Sequence, residues 1–357
     1  MPDAPRIVVF EDEDQNFATF ESALKKEVGD VFEVVRYPGT RELNGANWSD
    51  AESWIRSWLL EPSPAILAVI DWDLSKFKHP APQQFIRGIA EDLAIPTVLY
   101  QSDDAKKKLD RLKRWQERRI AVEGSSDHVY LAATCANAAR GFNTIRERVT
   151  KLADEPRLLD TLRDLLNPPT GAPLHLEQFA VGNQELLLVA EKGTGPDYQR
   201  FIATWIGYLI YNRLLPFPGP ILGEVAAAAY LGISKEEIRA EDVRTQIDAA
   251  RYAGPFAAPG YWWASGLNAF IAKSTKKDDK TLPIGRVALE RVLPRSVARA
   301  VCHDGEELDE SAFLCILTND IVCRTHSDAP EAWIPQGADQ CRIHIEEFDA
   351  LRAWLGI

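Results

Sequence analysis

The chain turns on one stretch, Ala65-Ile66-Leu67-Ala68-Val69-Ile70-Asp71, where a continuous apolar run ends in a carboxylate. The run is short and holds Ile and Val, and Pro64 stands before it. Such a run reads as a strand buried on both faces, the setting of a parallel sheet between two helical layers. An Asp at the carboxyl end of such a strand lies where open α/β sheets gather their ligands. By itself Asp71 need only cap a loop. A second strand, Arg6 to Phe10, also ends in acid, Glu11-Asp12-Glu13-Asp14, and the pair points to a shared site.

The segments around these strands alternate in kind. Phe17, Phe20, Leu24 and Val28 recur at helical spacing, and Val31 to Tyr37 is a short strand closed by Pro38-Gly39. Trp54, Ile55, Trp58 and Leu59 mark a helix face that packs on the sheet, stopped by Glu61-Pro62-Ser63-Pro64. Phe85, Ile86, Ile89 and Leu93 mark the next helix, Ile95 to Ser102 a fourth strand, and Arg118 to Ser126 holds a fifth.

This order resembles the receiver domain of bacterial response regulators over about residues 5 to 150. The resemblance implies a flavodoxin-like, doubly wound, five-stranded parallel sheet. It implies that Glu11 and Asp12, with Asp71, hold Mg²⁺, that Asp71 accepts a phosphoryl group, and that Ser102 is the switch hydroxyl. The chain departs from the family in its fifth strand, which should end in Lys. Here that position is Val122 or Glu123. A phospho-aspartate needs positive charge close by, and a Glu opposes it. The expectation is an atypical, pseudo-receiver domain. Lys76 or Lys78, in the loop beyond Asp71, can supply the missing charge; a solvated loop needs no such role.

Lys106, Lys107, Lys108, Arg111, Lys113, Arg114, Arg118 and Arg119 are interleaved with Leu109, Leu112 and Trp115. The face from Lys106 to Arg119 is a candidate dock for a protein partner, or the solvated side of an amphipathic helix. A long helix over 127–153 carries Ala132, Ala136, Ala139, Phe142 and Ile145 on one stripe, which can pair with a second copy in a homodimer or pack within the chain. Asn167-Pro168-Pro169-Thr170-Gly171-Ala172-Pro173 is the clearest boundary. The expected division is a receiver-like domain (1–126), a helical connector and Pro-rich linker (127–173), and a separate α+β output domain (174–357).

Within the output domain, Asp197 to Leu215 reads as an apolar helix. Leu222 to Leu231, Gly232-Ile233-Ser234 and Lys235 to Ile238 have the look of a helix-turn-helix. Its second helix bears Glu236, Glu237, Glu241 and Asp242, which repel phosphate, and net charge is -12, so a DNA-binding regulator is the third choice. Cys323-Arg324-Thr325-His326 and Cys341-Arg342-Ile343-His344 repeat a C-x-x-H spacing able to hold Zn²⁺ through Cys323, His326, Cys341 and His344. Against this, Phe313 to Leu317 and Ile321 to Cys323 read as a hairpin across Asn319-Asp320, and Cys341 to Ile345 as an alternating strand. Convergence of His303, Asp304, His326 or His344 in a pocket would favour a second choice, an effector enzyme, metal-dependent or not, gated by the receiver. No phosphate-cradling glycine loop, nucleophile elbow or H-E-x-x-H supports that choice.

No apolar run approaches the ~20 residues of a membrane helix. The N-terminus has no secretory design, and five cysteines do not form a secreted framework, so a cytoplasmic setting is expected. The leading expectation is a two-component-like signalling protein in which a degenerate receiver controls or docks an output domain through protein contacts. Receivers of this kind fused to unfamiliar domains also resemble parts of bacterial defence systems.

Overall fold

The computed structural model describes residues 4–38, 48–74, 83–101, 120–123, 127–151, 158–169, 196–257, 260–277, 279–330 and 333–355. The fold is mixed α/β. It divides into two compact units: the first takes the described residues up to Thr161 and those from 196 to Leu209, the second those from Leu162 to 169 and from Ile210 on.

The first unit runs β1 (Arg6–Phe10), α1 (Asp14–Val28), β2 (Glu33–Arg36), α2 (Trp48–Leu60), β3 (Leu67–Asp71), α3 (Gln83–Asp92), β4 (Thr97–Gln101), β5 (Ile120–Glu123) and α4 (His128–Thr150). The strands lie in the order β2-β1-β3-β4-β5, and each neighbouring pair is parallel. Strand parity builds both faces. Val8, Phe10, Ala68 and Ile70 share a core with Ile55 and Leu59 of α2 and Ile86 and Ile89 of α3. The alternate residues Ile7, Val9, Leu67 and Val69 are equally buried. Burial on both sides is why the sequence shows unbroken apolar runs here instead of alternation. Trp58 lies edge-on to Tyr37, with ring centroids 6.2 Å apart, as a sheet-packing aromatic should.

After α5 (Leu158–Leu166) comes α6 (Pro196–Tyr208). Here the structure departs from the expected division. Helix α6, expected in the output domain, belongs to the first unit, and so does α4, expected as a connector. The buried stripe of α4, Ala132, Ala136, Ala139, Phe142 and Ile145, packs against α1 and α6. Of the two expected uses of this face, pairing with a second copy or packing within the chain, the structure shows the second. Helix α6 is tied to the α3–β4 turn by three hydrogen bonds. Arg200 Nε donates to the Leu93 carbonyl (2.7 Å), Thr204 Oγ1 to the Ala94 carbonyl (2.8 Å), and the Thr97 N–H to Tyr208 Oη (2.8 Å). An amphipathic period says that a face is buried and is silent on what buries it.

The second unit holds a two-stranded pair, β6 (Ile221–Gly223) with β7 (Tyr261–Trp263), and a four-stranded sheet in the order β10-β11-β8-β9. These are β8 (Phe313–Cys315), β9 (Asp320–Val322), β10 (Ser327–Asp328) and β11 (Cys341–His344). The expected hairpin is present, with Asn319 turning at φ +57° between β8 and β9. Helix α7 (Glu224–Leu231), carrying buried Ala226 to Ala229, lies in the core with Ile238, Val243, Trp262 and Leu267. Gly232 ends it at φ +70°. The second helix expected from Lys235 does not form. Its place is a single 3₁₀ turn, Glu237–Arg239, before α8 (Glu241–Ile247). Glu237 and Asp242 bind Arg295 at 2.7 Å each, so the acids of the supposed reading helix serve as an internal clamp. No helix among the described residues is long and apolar enough to cross a membrane.

Candidate functional site

Among the described residues two clusters of metal-ligating side chains form, one in each unit. In the first, Glu11 and Asp12 follow β1 and Asp71 ends β3. These strands are parallel neighbours with Phe10 opposite Ile70, which brings Glu11 beside Asp71. Carboxylate oxygens of Glu11, Asp12 and Asp71 lie within 4.8 Å of one another.

Glu11 is only 2% exposed and is held at both oxygens. Oε1 accepts the Glu13 N–H (2.8 Å), and Oε2 accepts the Tyr100 hydroxyl (2.5 Å). Asp71 accepts the Asp73 N–H at 3.4 Å. Its carboxyl is pushed up to about 7, first by burial and then by the charge of Glu11. The Tyr100 phenol is raised too, by burial first and then by Asp71 and Glu11. Arg36 donates from Nε to the Glu11 backbone carbonyl (3.0 Å) and pairs with Asp14 (2.6 Å). Three converging carboxylates are a donor set for a hard divalent cation.

Tyr100 escaped the sequence reading, which took Ile95 to Ser102 as a strand ending in the switch hydroxyl. The signal was the register: Tyr100 stands directly opposite Asp71. Ser102, Lys76, Lys78 and the face from Lys106 to Arg119 lie outside the described residues. The fifth strand ends in Val122, buried opposite Tyr100, and Glu123, opposite Gln101.

In the second unit the two C-x-x-H pairs meet different fates. Cys323 leaves β9, the chain turns, and His326 precedes β10, so the two side chains return to each other with Nδ1 3.2 Å from Sγ. Cys341 and His344 both lie in β11, three residues apart, and a pleated strand sends such residues to opposite faces. The Cys341 thiol is buried and raised by that burial, then by Cys315. His344 Nε2 instead meets Asp304 Oδ1 at 3.0 Å. The expected set of Cys323, His326, Cys341 and His344 is therefore divided. Its place is taken by Cys302, Cys323 and His326, whose ligand atoms lie within 4.8 Å of one another. His303 Nδ1 is 3.0 Å from Asp320 Oδ2, Lys235 pairs with the other oxygen, and the His303 ring lies 4.9 Å from that of His344. Lys235, Cys302, His303 and Asp320 line a cavity of about 280 Å³.

No protein-family model and no curated protein matches the chain.

Proposed function

We propose that this is a signalling protein whose first unit is a degenerate receiver with a flavodoxin-like fold. Glu11, Asp12 and Asp71 hold Mg²⁺, Asp71 accepts a phosphoryl group, Ser102 senses it, and the response reaches a protein partner through the basic face from Lys106 to Arg119 and the second unit. The observation that carries this reading is the meeting of three carboxylates at the ends of β1 and β3. That is the point where the strand order 2-1-3-4-5 reverses, and ligands of open parallel sheets gather there. A bound cation would lower the cost of ionising Asp71, and the Asp71 oxygen would attack phosphorus as the donor's leaving group departs. Because β5 offers no lysine, Lys76 or Lys78 is the proposed source of the compensating charge.

Intact mass after incubation with Mg²⁺ and acetyl phosphate tests the reading, on the native chain and on Asp71→Asn. One phosphoryl addition, lost in the variant and without Mg²⁺, supports it. No addition, together with no Mg²⁺-dependent change in the fluorescence of Trp72 next to the site, sinks it.

The grouping of His303, Asp304, His326 and His344 favours a second reading, an effector enzyme in the second unit that uses the adjoining cavity. Hydrolysis of simple chromogenic esters or phosphodiesters, abolished by His303→Ala, would support it; absence of turnover across both classes would remove it.

A further inference from the structure

We infer that the second unit binds one Zn²⁺ through Cys302 Sγ, Cys323 Sγ, His326 Nδ1 and Asp304 Oδ2, a site apart from the acidic cluster that uses the first C-x-x-H pair and leaves the second out. His326 Nδ1 lies 2.9 Å from Asp304 Oδ2, 3.2 Å from Cys323 Sγ and 3.9 Å from Cys302 Sγ. A single imidazole nitrogen can serve one hydrogen bond well, and three partners around it leave two poorly served. A metal at the centre of the group would serve all of them.

The spacing fits that centre. Cys302 Sγ is 3.9 Å from Asp304 Oδ2, and the two sulfurs lie within 4.8 Å of each other. A tetrahedron with Zn–S of about 2.3 Å and Zn–N or Zn–O of about 2.0 Å has edges of roughly 3.3 to 3.8 Å. Four of the six separations, 2.9 to 3.9 Å, bracket that range; Asp304, outside the 4.8 Å group of the other three, closes on the ion from the side of His326 and Cys302. Two thiolates with one imidazole select a borderline-soft cation, and Mg²⁺ or Ca²⁺ would not choose them.

The surroundings hold these donors in place. His344, 3% exposed, engages both oxygens of Asp304, Oδ1 at 3.0 Å and Oδ2 at 3.2 Å, and so fixes that carboxylate beside the group. The Cys323 N–H points at Cys302 Sγ (3.4 Å), and Thr325 Oγ1 lies 3.0 Å from Cys323 Sγ. Donors aimed at sulfur stabilise thiolates, and a histidine behind a carboxylate ligand orients it. Cys302 and Cys323 are buried while His326 is partly exposed, which gives the ion a way in. With four protein donors the site is closed, so the metal fastens the loop at 302–304 to the end of β9 and takes no part in turnover. Binding releases the two thiol protons to solvent.

The test uses the full chain, stripped with a chelator under reducing conditions and titrated with Zn²⁺ and with Co²⁺. The expected result is one ion per chain and a cobalt spectrum with tetrahedral d–d bands and thiolate charge transfer. Cys302→Ser and Cys323→Ser should lose the charge-transfer intensity in part, and the double variant should lose it wholly. His326→Ala, at a partly exposed position that leaves the fold intact, should weaken Zn²⁺ at least tenfold, and His344→Asn about tenfold. Glu11→Gln and Cys341→Ala should bind as the native chain does. Absence of stoichiometric Zn²⁺ at micromolar concentration overturns the proposal. So does native affinity in His326→Ala, or loss of binding in Glu11→Gln alone.

Discussion

At the scale of single residues, Asp71 carries the most consequential environment. Its carboxyl titrates near 7 in the fold, against about 4 in an unfolded chain. Between those values the native state keeps a proton that the unfolded state has lost, so stability falls as pH rises from about 4 to about 7 and is level above that. After discounting for the partial exposure of the side chain, the penalty is about 1–2 kcal/mol. Asp71→Asn removes it. In chelator, the variant should be more stable than the native chain by that amount at pH 8 and by progressively less toward pH 4, as read by urea unfolding. Saturating Mg²⁺ should reverse the ranking at pH 8, because the ion takes the place of the proton and only the carboxylate welcomes it. A variant with the same pH profile as the native chain would show that Asp71 is ordinary.

At the scale of elements, the close approach of α4 and α6 rests on Gly207. A Cβ there would overlap the Phe142 ring. Gly207→Ala should cost roughly 1–3 kcal/mol, and the cost should shrink in a Phe142→Leu background, a coupling that thermal unfolding of the four chains measures. Asn319 makes a smaller case: Asn319→Ala should lose about 1 kcal/mol at φ +57° while Asn319→Gly stays near native. That hairpin was legible because turn chemistry is local. The strands ending at Glu11 and Asp71 were legible for a similar reason, since burial on both faces writes itself into consecutive apolar residues. The docking of α6 was not, because helical spacing marks a buried face and leaves its partner open. The metal-like spacing at Cys341 and His344 misled because it counts residues and ignores the pleat, which had been visible in the alternation of Cys341, Ile343 and Ile345. Spacing does not single out Cys302, since only the fold brings it to Cys323, twenty-one residues on.

At the scale of the whole molecule, the Pro-rich stretch at 167–173 looks like the natural place to divide the chain, and the packing says otherwise. A fragment ending at residue 173 would lack α6. The carbonyls of Leu93 and Ala94 and the N–H of Thr97 would lose their partners, at about 1 kcal/mol each. The Phe142 ring, which meets Tyr208 at 5.5 Å, would lose its cover along with the neighbouring face of α4. Exposed apolar surface of that kind favours association over independent folding. The fragment 1–173 should therefore unfold at lower urea than the intact chain, by an amount worth 3 kcal/mol or more, and should bind a hydrophobic dye. Supplying residues 196–215 as a separate peptide should restore part of the loss, because the contacts are made by side chains of α6 and need no continuous backbone. If 1–173 unfolds with the midpoint and slope of the first transition of the intact chain, α6 contributes nothing to that unit, and the boundary read from the prolines stands.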